Sequence, residues 1–138
     1  MGRKYLGTLG VLGIVGLIAA TSGCTSSSNA ATYNNSQMSF QYPDSWKVIN
    51  ESENWVQFKA SIGEVRVFLY PKDSGQLGSF TFSDNETVDD RKYTKMVTGV
   101  NGGLVSYAFR GNNSDLFIIA SKGNDEGVKQ IIGSVQFK

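Results

Sequence analysis

Side chains able to do chemistry are few in this chain and widely spaced. Cys24 is the one cysteine among 138 residues, and there is no histidine. Without histidine the commonest general base, the usual transition-metal ligand and any Ser-His or Cys-His nucleophile pair are missing. Three kinds of group remain: one thiol, asparagines in N-x-[ST] triplets, and short carboxylate runs. The densest run, Asp84-Asn85-Glu86-Thr87-Val88-Asp89-Asp90, offers the oxygen ligands that calcium takes. It lacks the D-x-[DN]-x-[DN]-G order and is followed by Arg91 and Lys92, so it reads as a solvated loop. Asp115 reads as a turn residue, and Asp125-Glu126 as the acidic start of a helix. The sequence has neither a Walker loop nor a GxGxxG pattern. Catalytic, metal and cofactor sites are therefore not expected, and the chain reads as non-enzymatic.

Cys24 gains its meaning from what precedes it. Arg3 and Lys4 lead an uncharged run, Tyr5–Ala20, which ends in Thr21-Ser22-Gly23-Cys24. This is the order of a secretory signal, expected over residues 1–23. The run is shorter than the roughly 20 residues of a spanning helix. A lone cysteine in an exported chain has no internal disulfide partner. Its position after small residues resembles a lipobox, so the expected modification is lipidation of Cys24, although Thr21 stands where that pattern prefers leucine. Two lipid chains hold a protein stably at a membrane, and one does not. The alternative is a free cysteine beside a retained N-terminal helix or an ordinary cleavage site. Removing Arg3 and Lys4 leaves 11 of 13 basic residues against 12 acidic, a net charge of −1. Nothing in that balance attracts nucleic acid. Residues 24–37, rich in Ser, Asn, Thr and Ala, read as a lipid-anchored tether. The N-x-[ST] triplets begin at Asn34, Asn50, Asn85 and Asn112, in the tether or in expected turns, which makes these four the candidate glycosylation sites.

Residues 38–138 form the expected domain, and its pattern is mostly strand. Trp55–Lys59 and Glu64–Tyr70 alternate apolar with polar residues around a turn at Ser61–Glu64. Gly78–Phe82 reads as a short strand, Asp84–Asp90 as a loop, and Lys92–Thr98 as a strand with Tyr93 and Val97 on one face and Met96 on the other. Gly103–Arg110 and Asp115–Ser121 make a hairpin whose second arm is apolar enough for a central strand covered on both faces. Asn124 then offers an N-cap to a helix with Val128, Ile131 and Ile132 on one side. Gly133 ends it, and Ser134–Lys138 returns as a strand. The stretch Ser39–Ile49 holds one of two prolines and one of two tryptophans. Phe40 and Tyr42 lead a strand into Pro43, which with Asp44 and Ser45 turns the chain, so that Trp46 seals one end of the core. The expected fold class is α+β: an antiparallel sheet with a C-terminal helix packed on one face.

The spacing of Phe40, Tyr42, Pro43, Trp46 and Ile49 resembles the F-x-Y-P-x-x-W-x-x-I motif of the PsbP-like family. The close, Ile131-Ile132-Gly133-Ser134-Val135-Gln136-Phe137, is similar to that family's I-I-x-S-F. Export signal, tether and single domain together resemble the small PsbP-related lipoproteins of methanogenic archaea. The resemblance implies an antiparallel sheet flanked by helices, and it carries no site residue, because no position here matches a functional residue of the family. Longer members have an amphipathic helix before the last hairpin, whereas Pro71–Asp90 is too polar for one. One sheet face is then expected to be under-covered, open to a partner or a second copy of the chain. The function expected is a membrane-anchored binding or accessory module on the outer face of the cell membrane, with an envelope protein as partner. The alternatives are a glycosylated surface-structural protein and a small-ligand or metal-binding protein.

Overall fold

A computed structural model describes residues 29–138. The signal segment 1–23 and Cys24 lie outside the described residues. Among these residues ten strands, one α-helix and a short 3-10 turn (Val100–Gly102) follow in the order β1 (Ala30–Asn34), β2 (Met38–Pro43), β3 (Lys47–Glu51), β4 (Trp55–Lys59), β5 (Glu64–Pro71), β6 (Glu86–Val88), β7 (Arg91–Thr98), the 3-10 turn, β8 (Leu104–Arg110), β9 (Ser114–Ser121), α1 (Asp125–Ser134) and β10 (Gln136–Phe137). A seven-stranded antiparallel sheet runs β3-β4-β5-β9-β8-β7-β6, and a three-stranded one runs β10-β2-β1. The protein is thus α+β, with its C-terminal helix on a sheet.

The inner face of the large sheet explains why these strands form. Val56 and Phe58, Val65, Val67 and Leu69, Leu116, Ile118 and Ala120, and Val105 and Tyr107 alternate along four adjacent strands and are all buried. Against them pack Met38 and Phe40 of the small sheet and Val128, Ile131 and Ile132 of α1. Each such side chain contributes about 1.5–3 kcal/mol when fully buried. That docking sustains a ten-residue helix which is marginal alone.

The Pro43 corner lies where the motif places it. The Trp46 amide donates to the Pro43 carbonyl at 3.0 Å, closing the turn. Trp46 is buried against Phe58 at 5.8 Å between ring centres. Phe40, also buried, and the half-buried Tyr42 complete an aromatic group around Phe58. Where Trp46 crosses α1 the helix carries Gly127, and a β-carbon there would overlap Trp46 Cζ2 and Cη2.

Several expectations need correction. Residues 30–34, read as tether, form β1 and pair along β2 from Ala30 opposite Pro43 to Asn34 opposite Ser39. Tyr33 drives this: its ring is buried 5.2 Å from Phe40, and its hydroxyl donates to Glu51 Oε1 at 2.7 Å. Gly78–Phe82 is not a strand. Its Phe-x-Phe alternation is real, but the aromatics lie on a sheet without joining its hydrogen bonds. The loop expected over Asp84–Asp90 contains β6, joined to β7 by Asp89 and Asp90, both at positive φ. Aspartate tolerates that conformation, and two such residues suit the twist of a tight hairpin.

The ends of α1 also differ from expectation. Asn124 holds the N-cap position as expected, but its side chain makes no capping bond; buried, it spans to the Ile62 turn, accepting from its amide at 3.2 Å and donating to its carbonyl at 2.6 Å. The helix continues through Gly133 to Ser134. Arg91 of β7 closes it, with Nη1 donating to the carbonyls of Ile132 at 3.0 Å and Val135 at 2.6 Å. Tyr93 and Val97 do share a strand face, but Tyr93 is buried and Val97 is exposed, because β7 outruns the core.

Candidate functional site

The outer face of the large sheet is covered over part of its area. The chain from Lys72 to Asn85 crosses it and is tied down at both ends. The Lys72 amide donates to the Asn113 carbonyl at 2.9 Å. The Ser83 and Asp84 amides both donate to Thr94 Oγ1, at 2.8 and 2.9 Å. Between these ties Phe80 packs edge-on to Phe117 at 5.4 Å and to Phe82 at 5.3 Å. Thr94 and Ala108 are buried on this outer side. The under-covered face that the polar connection predicted is therefore roofed over β8 and β9 by two phenylalanines.

Beyond that roof, over β4 and β5, the face is open. Trp55 and Phe68, both half-buried, stand there in register with Phe117 and Ala108, which lie at and under the edge of the roof. Gln57, Arg66 and Ile119 follow in the next row. Leu104 and Met96 are exposed near the far end. β9 is central as expected, yet its two sides differ. Leu116, Ile118 and Ala120 are fully packed within, whereas Phe117 and Ile119 are half-buried without.

Between the open area and the roof lies a cleft of about 230 Å³, lined by Tyr70, Lys72, Ser74, Phe82, Arg110 and Asp115 among others. β5 supplies Tyr70, whose ring lies parallel to that of Phe68 at 6.1 Å. The β8–β9 hairpin brings Arg110 and Asp115 opposite each other. The Arg110 guanidinium is stacked on Phe82, 3.8 Å from the ring centre. Asp115 is 8% exposed, and among the described residues its Oδ1 accepts no hydrogen bond. Arg110 Nε stands 3.8 Å away, an ion-pair distance too long for a hydrogen bond. Asp115 is thus more than the turn residue that its sequence position suggests.

A second polar cluster joins α1 to the inner face. Asp125 Oδ1 accepts from the Tyr107 hydroxyl at 2.9 Å and meets Lys95 Nζ at 3.0 Å, while Oδ2 lies 3.4 Å from Lys129 Nζ. Burial pushes the Asp125 carboxyl upward, but its bonds to Lys95 and Tyr107 and the charge of Lys129 outweigh this and hold it below the usual value. Tyr107 is pushed up by burial and by its bond to Asp125. Tyr93 is likewise raised by burial, then by Asp125, and its buried hydroxyl has no partner among the described residues. Tyr33 is pushed up to about 12, by burial first and then by Glu51. Asp125 ties the helix to the sheet and faces no cleft.

The four candidate glycosylation asparagines are all exposed. Asn34 accepts from Lys138, and Asn50 Oδ1 from the Glu51 amide at 3.0 Å. Asn85 is held on the Lys95 backbone by two bonds of 2.8 and 3.1 Å. Asn112 occupies the β8–β9 turn, where its side chain makes no hydrogen bond among the described residues. Phe40, Tyr42, Pro43 and Trp46 are brought together as one packing unit, away from the cleft. No group of three or more metal-ligating side chains occurs among the described residues. Nor is any helix among them long and apolar enough to cross a membrane.

The sequence matches no protein-family model and no curated protein. Solved structures do share its fold. A crystal structure of a protein from Bacteroides thetaiotaomicron VPI-5482 matches with a TM-score of 0.50 at 12% identity, over 73% of this chain and 45% of that one. This chain therefore spans less than half the length of that neighbour. At such identity the likeness speaks for fold alone, and it adds no activity to the site.

Proposed function

We propose that this protein is an exported, membrane-anchored, non-enzymatic binding or accessory module with a PsbP-like domain, held at the outer face of the cell membrane through lipid on Cys24. Its partner is an envelope protein that covers the open part of the outer sheet face. The observation that carries this reading is the in-register pair Trp55–Phe68, left half-buried beside a roof whose Phe80 covers the next residue of the row, Phe117. A surface where aromatic residues and arginine gather is the composition of interface hot spots. Arg66 and Arg110 border this row. Lipid on Cys24 would place β1 within about 20 Å of the bilayer, because only residues 25–29 intervene. A surface-structural glycoprotein is the second reading, favoured by the exposure of Asn34, Asn50, Asn85 and Asn112.

The test is photo-crosslinking in intact cells, with the reactive side chain placed at Trp55 or, on the opposite layer, at Glu126. A single protein captured at Trp55 and not at Glu126 is the expected result. Capture of nothing, or equal capture at both positions, shifts the weight to the surface-structural reading. In the same cells Cys24→Ser releases the chain from membranes if lipid is the anchor; continued association points to a retained N-terminal helix.

A further inference from the structure

We propose that the Asp115–Arg110 cleft is a binding site for one sugar ring, a neutral polyhydroxylated ligand. This goes beyond the protein-partner reading and does not rest on it. Asp115 is the residue that points to a ligand. Its Oδ1 is buried and accepts no hydrogen bond among the described residues, so the ion pair with Arg110 Nε at 3.8 Å stands in place of the compensation that buried acceptors normally receive. Such a group persists where something outside the chain supplies the donor. A donor entering the cleft that Asp115 lines would meet the carboxylate at Oδ2, since Oδ1 is buried.

The rest of the lining narrows the choice. Lys72 and Arg110 balance Asp73 and Asp115, so the cleft carries no net charge. A bare ammonium or metal ion would meet two cations there, and a phosphate two carboxylates. A neutral ligand with a donor beside an acceptor suits both charges at once. Two adjacent ring hydroxyls provide this arrangement, one donating to the Asp115 carboxylate and the other accepting from the Arg110 guanidinium. Arg110 is already held on Phe82, so little freedom is lost when it binds. Tyr70 adds an aromatic wall on which the C–H face of a sugar can pack. At about 230 Å³ the cleft is smaller than the roughly 300–1,000 Å³ of pockets for drug-sized ligands, which fits a single ring. From Tyr70 the aromatic surface continues to Phe68, so a longer glycan would have a path along the face.

The test uses the full-length protein in lipid nanodiscs and saturation-transfer NMR with the methyl glycosides of glucose, galactose, mannose and N-acetylglucosamine. At least one glycoside should receive saturation, and Asp115→Asn should weaken its binding tenfold or more. Because Asp115 has no hydrogen bond to lose, Asp115→Asn should melt at the same temperature or higher. A lower melting temperature would make the Arg110–Asp115 pair structural and overturn the proposal. So would silence from all four glycosides, or displacement of the bound glycoside by equimolar glycine or methylammonium. Arg110→Gln supplies a second variant and should also weaken binding. Tighter binding of a linear trisaccharide than of its methyl glycoside identifies a glycan chain as the source, and equal binding a free sugar. Loss of crosslinking at Trp55 together with a positive NMR result would sink the partner reading and leave this one standing.

Discussion

The two faces of the large sheet treat their polar groups differently. On the inner face the helix brings Asp125 to Tyr107, Lys95 and Lys129, and the carboxylate is bound on both oxygens. On the outer face Asp115 is more deeply buried and has only a distant guanidinium for company. The inner aspartate fixes the position of an element, and its cost of burial is offset within the fold. The outer one is offset only by its ion pair with Arg110. A carboxylate oxygen left without a hydrogen bond beside a cleft calls for an explanation outside the packing, and so points to this face as the one that binds. Tyr93 is a partial exception, because its hydroxyl is unpartnered on the inner side. It is sealed by packing, however, and faces no opening from which a ligand could supply a bond.

If the inner face is the structural one, its largest aromatic seal should dominate stability. Trp46→Ala is expected to cost about 3–5 kcal/mol, read from urea melts. A loss below about 1 kcal/mol would mean that the corner is not sealed by this ring and would break the contrast between faces. Gly127→Ala approaches the same contact from the helix side. The added methyl overlaps the indole, so overpacking costs about 1–3 kcal/mol, partly offset by the gain of up to about 1 kcal/mol in helix propensity. In the Trp46→Ala background the overlap with the indole is gone, leaving the propensity gain against a 2.9 Å approach to Pro43 Cγ. The two substitutions should therefore be strongly non-additive, with Gly127→Ala losing most of its cost once Trp46 is gone.

The packed face was the more legible in the sequence, for a physical reason. Its strands alternate, its helix repeats at three and four, and Pro43 and Trp46 fix a corner by local geometry. Burial on one side writes itself into periodicity. What periodicity could not show is where side chains reach across the fold. Arg91 follows an acidic run, yet it caps a helix more than forty residues away. Asn124 stands at an N-cap position and bonds Ile62 instead. Tyr33 sits in a Ser/Asn-rich stretch, where one buried ring suffices to make a strand. The cleft was the least legible part. Asp115 opens a strand after Gly-Asn-Asn-Ser, which is turn chemistry, and only the roof carrying Phe80 and Phe82 buries it. Their alternation was visible; the sheet they cover was not.

The smallest effect gives the finest test, because it applies the same chemical change to each aspartate. The folded Asp125 carboxyl lies below its ordinary value of 3.8, burial being outweighed by Lys95, Tyr107 and Lys129. A depressed folded value contributes stability that is present above the unfolded value and lost as pH falls through the folded one. The denaturant midpoint of the wild-type protein should therefore decline as pH drops below 3.8. Asp125→Asn should be less stable by about 1–2 kcal/mol at neutral pH, since it loses charged hydrogen bonds that are partly open to solvent. It should also lose part of that acid slope. Asp115→Asn, which gives up no hydrogen bond, should leave neutral stability unchanged or raise it. Opposite signs for the two variants would separate a carboxylate that holds the fold from one that waits for a ligand. Equal losses would mean that Arg110 secures Asp115 as firmly as Lys95 secures Asp125, and the outer face would then be as structural as the inner.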